Sequence, residues 1–462
     1  MTSYQCPGSN ITAGFVDLAT FDELEKYMYG GAQATTYFVR LVRKSTWFTQ
    51  IPTILVRSNG NPGFDQEWSV SIGRAGDYLM YAWLRVELPS VTLLKSNKFK
   101  DDGRLRWTRN LMHNLIRECC ISFNDLVAAR FDNYHLDFWS AFTVPGGKQN
   151  GYNNMIGNVD SLTGPHSPDH PIPSAVLNLP LPFFFARDRG VALPVVAIPY
   201  NDMRITFVFR KWDELLILDK SNGTGKHSFV PSVPADIAAA PELVSAHVWG
   251  NYALVSNDER ARMGCSPRNI LIEQANTAPR FNFTPATNPT PAFDIRFSHA
   301  IKVLFFAVRN TSLPNEWSNY TAASPCNKNN SIDYSPHGAA DPIAYTSLIY
   351  ESTSRLSRMT SDYFSLVNPF YTSESIPNVT GYHVYSFAQN FTHIDPAGST
   401  NFGKLNNVSM AIEASQAAID GANALGKTGS GADFAQKYEF VVTSVNNNVI
   451  RISGGALGFP VL

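Results

Sequence analysis

Between Leu177 and Arg210, four prolines (Pro180, Pro182, Pro194 and Pro199) punctuate an almost wholly apolar run. Proline lacks a backbone donor and fixes φ, which keeps it out of central strands and helix interiors. The run is too apolar for a wet surface, yet no single strand or helix can span it. It reads as strand edge, packed turn, strand. Period-2 alternation marks the closing strand: Ile205, Phe207 and Phe209 against Arg204, Thr206, Val208 and Arg210. Inside the turn lies Arg187-Asp188-Arg189, where Arg187 is expected to pair with Asp188 or with backbone groups. Gly190 would allow φ > 0 there. The run Phe183-Phe184-Phe185 is expected to divide between the lobe core and a neighbouring lobe or subunit. The structural and interface candidates are therefore Pro180, Pro182, Phe183, Phe184, Phe185, Arg187, Asp188, Gly190, Pro194 and Pro199.

Composition points the same way. Phe (30) and Tyr (19) are abundant, only 16% of residues are charged, and Gly (30) and Pro (29) supply turns, which favours sheets over long solvated helices. The formal charge is −1 with no basic tail, so direct nucleic-acid binding is not expected. The five cysteines, Cys6, Cys119, Cys120, Cys265 and Cys326, are odd in number and form no Cys-x-x-Cys pair, so they read as reduced structural thiols. Cys119 and Cys120 should point to opposite faces of a strand. No signal peptide and no apolar run of about 18 residues is visible. The nine Asn-x-Ser/Thr sequons are then not expected to be glycosylated.

Along the chain, residues 14–30 read as a helix capped by Asp17 or Thr20 and ended by Gly30. Residues 115–131 read as a hairpin turning at Asn124-Asp125, and Asp132 as the N-cap of an aromatic helix through Tyr134, Phe138, Trp139 and Phe142. Residues 145–175, 218–236, 311–343 and 413–435 read as loops. Residues 438–453 read as a hairpin around Asn446-Asn447-Asn448, and the apolar C-terminal tail is expected to be buried. Leu348-Ile349-Tyr350-Glu351 echoes Leu115-Ile116-Arg117-Glu118, and the segment from Ser361 echoes that from Asp132, offset by about 230 residues. With the matching order of strand, hairpin, helix and strand, this implies a duplicated domain. The expected fold is mainly β: two consecutive eight-stranded jelly rolls with short helices and long loops. The expected boundaries are an arm over 1–30, a first roll over 31–217, a linker over 218–240 and a second roll over 241–462.

Catalytic patterns are scarce. There is no Gly-x-Ser-x-Gly elbow and no His-Glu-x-x-His. Residues 223–228 echo a phosphate loop, but Lys220 stands where its first glycine belongs and His227 where Ser or Thr belongs. His166, Asp169 and His170 cluster in a proline-rich loop, where a solvated role outweighs a metal site. His135 and His299 read as structural. No enzyme activity, cofactor or metal is expected.

Several stretches together carry a resemblance. They are Leu-Pro-Leu-Pro-Phe-Phe-Phe-x-Arg-Asp-x-Gly-x-Ala-Leu-Pro from Leu179, Pro-Tyr-Asn-x-x-Arg-Ile from Pro199, Trp-Thr-Arg-Asn-Leu-Met-His-Asn-Leu-Ile-Arg-Glu from Trp107, Asp-Ile-Arg-Phe-Ser-His-Ala-Ile-Lys from Asp294 and the terminal Gly-Phe-Pro-Val-Leu. From about residue 10 to 462 the chain resembles the iridovirus major capsid proteins, within those of the large DNA viruses. The resemblance implies a double jelly roll and a homotrimer of pseudo-hexagonal outline. Such capsomers tile an icosahedral shell over an internal membrane. It also implies assembly in host cytoplasm, and minor capsid proteins or the membrane as partners of the N-terminal arm. The alternative, a jelly-roll carbohydrate binder or glycosidase, would need exposed aromatics and two carboxylates across a groove.

Overall fold

The computed structural model describes residues 10–95, 103–221, 226–312, 315–322, 341–423 and 436–460. The chain divides into two units, one ending at Trp47 and the other starting at Phe48. In the first, α1 (Ile11–Ala19) and α2 (Glu23–Met28) each begin on a side-chain cap. Asn10 accepts from the Thr12 amide, and Asp22 from that of Leu24. The helix expected over 14–30 is therefore two helices, and Thr20 stands at the C-cap of α1.

Sixteen of the strands described in the second unit fall into two octets. The first is β1 (Phe48–Ile54), β2 (Glu67–Ser71), β3 (Tyr78–Leu88), β4 (Ile116–Phe123), β5 (Leu126–Phe131), β6 (Ala175–Pro180), β7 (Met203–Phe209) and β8 (Ser245–Val255). The second is β9 (Arg268–Thr277), β10 (Ala292–Asp294), β11 (Ala300–Asn310), β12 (Ile343–Tyr350), β13 (Thr353–Thr360), β14 (His383–Ser386), β15 (Val408–Ala414) and β16 (Tyr438–Ser453). The first octet pairs as β1-β8-β3-β6 and β2-β7-β4-β5. The second pairs as β9-β16-β11-β14 and β10-β15-β12-β13. Adding eight to each number of the first converts it into the second, so the duplication is topological as well as sequential. Each octet is a jelly roll, with two antiparallel sheets facing each other over a core.

The ladders move several expected boundaries. Residues 245–255, expected in the second roll, pair with both β1 and β3 and close the first. The expected linker is partly ordered: Leu216–Ser221 pairs with Lys226–Phe229 and with Arg104–Trp107. The expected loop at 145–175 contains the helix Gly146–Ile156, whose Ile156 is buried. Part of the loop expected over 413–435 is the helix Gln416–Ala422, and residues 424–435 lie outside the described residues. No turn interrupts β16. Asn446 is fully buried, and its amide and that of Asn448 reach Gln274 of β9, so the three asparagines continue the strand. In the apolar tail Leu457 is buried, and Val461 and Leu462 lie outside the described residues.

Other expectations hold. β4 and β5 form a hairpin, and Asn124 in its turn has φ 54°. Cys119 is buried and Cys120 half-buried, both as free thiols. The asparagines of three sequons bond the backbone: Asn319, Asn390 and Asn310 accept from the amides of Thr321, Thr392 and Ser312, a local turn that Asn makes two residues on.

The proline-rich segment is strand edge, packed turn, strand. Pro180 ends β6 at the sheet edge, three single 3₁₀ turns follow over 184–197, and β7 closes the segment. Phe183, Phe184 and Phe185 are all buried in one core cluster, which joins the first roll to Ile270, Ile272 and Ile450 of the second. Phe207 is fully buried there and stacks on Trp68, with ring centroids 5.0 Å apart. Phe207→Ala is expected to cost about 3–5 kcal/mol through lost burial and a cavity, read as a lower urea midpoint at an unchanged m-value.

Candidate functional site at the junction of the two halves

The junction is set by α3 (Asn133–Thr143). Its cap is Asp132, whose side chain accepts from the His135 amide as the sequence implies. The helical repeat places Tyr134, Phe138 and Phe142 on one face. That face packs on the outer side of the second roll's sheet: Val303, Phe305 and Ala307 of β11, Val384 of β14 and Val441 and Val445 of β16. Phe138 and Phe142 each stack on Phe305, at 6.1 and 5.7 Å. The helix is thus a plug between two cores rather than a surface helix.

Beside it lies a buried ion network. Arg187 lies 4.0 Å over the Trp139 ring, pairs through Nε with Glu273 Oε2 at 3.1 Å, and donates from Nη2 to the Thr392 carbonyl at 2.7 Å. Lys302, fully buried on β11, donates to Glu273 and to the His393 carbonyl. Burial lowers the pKa of both cations, and the Glu273 charge opposes the shift. Burial, helped by the Arg187 charge, pushes His135 down to about 3. Arg187 therefore crosses to the second half instead of pairing with Asp188. Asp188 is exposed and accepts from the Gly190 amide. Gly190 is not among the positive-φ residues. A Cβ there would lie 2.9 Å from the Asp188 carboxylate. Pro194 is buried, Pro182 half-buried, and Pro180 and Pro199 exposed.

A second buried network centres on Asp137. It accepts from Asn110 at 3.1 Å, Ser318 at 2.6 Å and Tyr320 at 3.0 Å, and lies 2.6 Å from His113 Nδ1. The other ring nitrogen of His113 lies 2.7 Å from the Tyr152 hydroxyl. Arg210, expected on a polar face, is buried; it donates to the Asn114 carbonyl and the Asn133 amide oxygen, and lies over Trp317.

A third cluster lacks the geometry of a catalytic triad. Ser361, His383 and Asp341 meet, but Ser361 Oγ and Asp341 Oδ2 both sit at His383 Nε2, at 2.8 and 3.0 Å. His383 Nδ1, where a triad's orienting carboxylate belongs, has no hydrogen-bond partner among the described residues. The ring is buried and stacks on Phe306. His166 lies 2.9 Å from the Ser161 carbonyl, and Asp169 pairs with Lys95, so these two do not converge on a metal. Among the described residues no group of three His, Cys, Asp or Glu is placed for one. A groove of about 1120 Å³ at the junction holds Asp188, Glu374 and Asp395, but Arg187 covers a face of its Trp139. The phosphate-loop echo falls largely on residues 222–225, outside the described residues.

The comparisons with known proteins agree with this picture. The chain is 61% identical to the major capsid protein of Invertebrate iridescent virus 6, over 98% of this chain and 99% of that protein. It is 48% identical to that of Lymphocystis disease virus 1, again over 98% and 99%. The chain belongs to the iridovirus major capsid proteins. Residues 36–255 match the family described as major capsid protein N-terminus, and residues 259–458 that of the large eukaryotic DNA virus major capsid protein. The two matches part where β8 ends. The fold is that of PBCV-1 VP54, as fitted into a reconstruction of the virophage Sputnik, with a TM-score of 0.73 at 19% identity over 92% of this chain and 100% of that one. It is also that of the Faustovirus major capsid protein, with a TM-score of 0.69 at 11% identity over 91% and 93%.

The junction packs the two rolls into one compact unit. Sequence reasoning missed Glu273 and Lys302, although a lysine inside a strand apolar on both faces was a signal. Glu273→Gln leaves two buried cations without their counter-charge and is expected to cost about 3–5 kcal/mol in chemical denaturation. Glu413→Gln, facing the solvated Arg358, is expected to leave the midpoint unchanged. For His135, the unfolded ring titrates near 6.5 and the folded one near 3. The unfolded chain binds more protons across that window, so its contribution to stability is complete above about pH 6.5 and falls as pH drops. The loss is roughly 2 kcal/mol by pH 5. His135→Gln is expected to flatten that share of the pH dependence in urea midpoints measured at pH 7 and 5.

Proposed function

We propose that this chain is the principal building block of an icosahedral virion shell. Three copies associate into a trimer of pseudo-hexagonal outline, and neighbouring trimers tile the shell over an internal membrane. The observation that supports this best is the repeated topology, β1-β8-β3-β6 recurring as β9-β16-β11-β14. Three such chains present six similar rolls, so a threefold assembly approximates sixfold packing. The role is structural and non-enzymatic, and assembly takes place in host cytoplasm.

The N-terminal arm is the proposed contact with minor capsid proteins and the membrane. Ile11, Phe15 and Leu18 recur one turn apart on α1 and are exposed, an apolar stripe suited to a partner or a lipid surface. The near-neutral charge supports a shell separated from the genome.

Light scattering on the purified full-length chain tests the trimer. A mass of three times 51.1 kDa, holding on dilution to micromolar concentration, is expected, with hexagonal outlines in negative-stain images. A chain that remains monomeric at high concentration would contradict the reading.

A further inference from the structure

Each roll's β1-type sheet turns one face into its own core and needs a cover for the other. For the sheet β9-β16-β11-β14, the cover is supplied within the chain by α3, the helix that follows the fifth strand of the first octet. The duplication creates two counterparts of this contact. The first is the helical segment after β13, the fifth strand of the second octet. The alignment that lays Tyr363 on Tyr134 lays Val367 on Phe138 and Tyr371 on Phe142. Phe138 and Phe142 are fully buried, whereas Val367 is 45% and Tyr371 75% exposed, with Phe370 beside them at 67%. Phe370 and Tyr371 pack edge to face at 5.1 Å, forming an aromatic knob.

The second counterpart is the outer face of β1-β8-β3-β6. Register places Ile54, Trp249, Trp83 and Pro180 in one row across all four strands. Trp83 and Trp249 stack 5.9 Å apart within 9° of parallel, and Ile54 and Pro180 are exposed at the two ends. The adjacent row, His247, Arg85 and Asn178, is polar. An apolar band with a polar flank on a sheet face has the anatomy of an interface.

We propose that the knob of Val367, Phe370 and Tyr371 on one copy docks on the band of Ile54, Trp249, Trp83 and Pro180 on the next copy. The contact repeats between chains the one that α3 makes within the chain. The duplication names the occupant: a sheet of the same topology is already covered, in this molecule, by a helix from the same position of the other roll. The contact is heterologous, each copy giving its knob to one neighbour and its band to the other, so it closes a ring or propagates. The inference rests on the trimer reading, in which three such contacts close.

Paired cysteines test it. Tyr371→Cys with Trp83→Cys, in a chain carrying Cys6→Ser, Cys265→Ser and Cys326→Ser, should give covalent dimers and trimers on a non-reducing gel after mild oxidation. Each single cysteine variant should give monomer bands. Tyr371→Asp, at an exposed site that leaves folding intact, should weaken association at least roughly thirtyfold, the effect of losing one hot-spot aromatic. A wild-type trimer whose paired variant does not cross-link, with Tyr371→Asp associating normally, overturns this contact alone. Dimers from Tyr371→Cys by itself would also overturn it, since knobs would then face each other. A monomeric wild type overturns the trimer reading and this contact with it.

Discussion

The structure depends on covering the outer face of a sheet. A jelly roll hides one face of each sheet in its own core, and an apolar outer face must find a partner. In this chain Phe138 and Phe142 supply it for the second roll by stacking on Phe305. That contact turns two similar rolls into one body. The ion network follows from it: once α3 seals the junction, Arg187, Glu273 and Lys302 are removed from water and are held by one another and by carbonyls. Buried pairs of this kind add little net stability against an apolar alternative, but they penalise any misplaced docking heavily. A wrongly docked junction would leave Arg187, Glu273 and Lys302 unpaired.

The same constraint links fold to assembly. The first roll's outer face carries Trp83 and Trp249, and the second roll's helical segment carries Phe370 and Tyr371. In a single copy Phe370 and Tyr371 are exposed, and the two tryptophans are half-buried between the exposed Ile54 and Pro180. A duplicated domain that satisfies itself once inside the chain carries the unsatisfied halves of the same contact at its two ends. On the proposed contact, self-association and internal duplication are two expressions of one interface.

Much of this was legible in the sequence where the determinants are local. β7 showed itself by alternation through Ile205, Phe207 and Phe209, and α3 by the Asp132 cap and its aromatic spacing. The prolines correctly broke the 177–210 segment. Readings failed where distant partners override local preference. Asn446-Asn447-Asn448 has turn composition, yet Gln274 across the ladder holds its side chains in a strand. Gly146, Gly147 and Gly151 argue against a helix, yet Tyr152 beside His113 and the buried Ile156 anchor one. β8 was placed in the wrong roll because the strand that closes a jelly roll pairs with the first strand of its own octet, about 200 residues earlier. The site candidates followed the same division: Arg187 was visible as a charge in an apolar turn, but its partner Glu273 lies far away in the chain.

The most direct measurement is a reconstruction of the assembled capsomer by electron cryomicroscopy. The account predicts six rolls alternating between first and second halves around a threefold axis, with Tyr371 of each copy seated against Trp83 and Trp249 of the next. A capsomer in which both surfaces face solvent, or in which like halves pair with like, would contradict it.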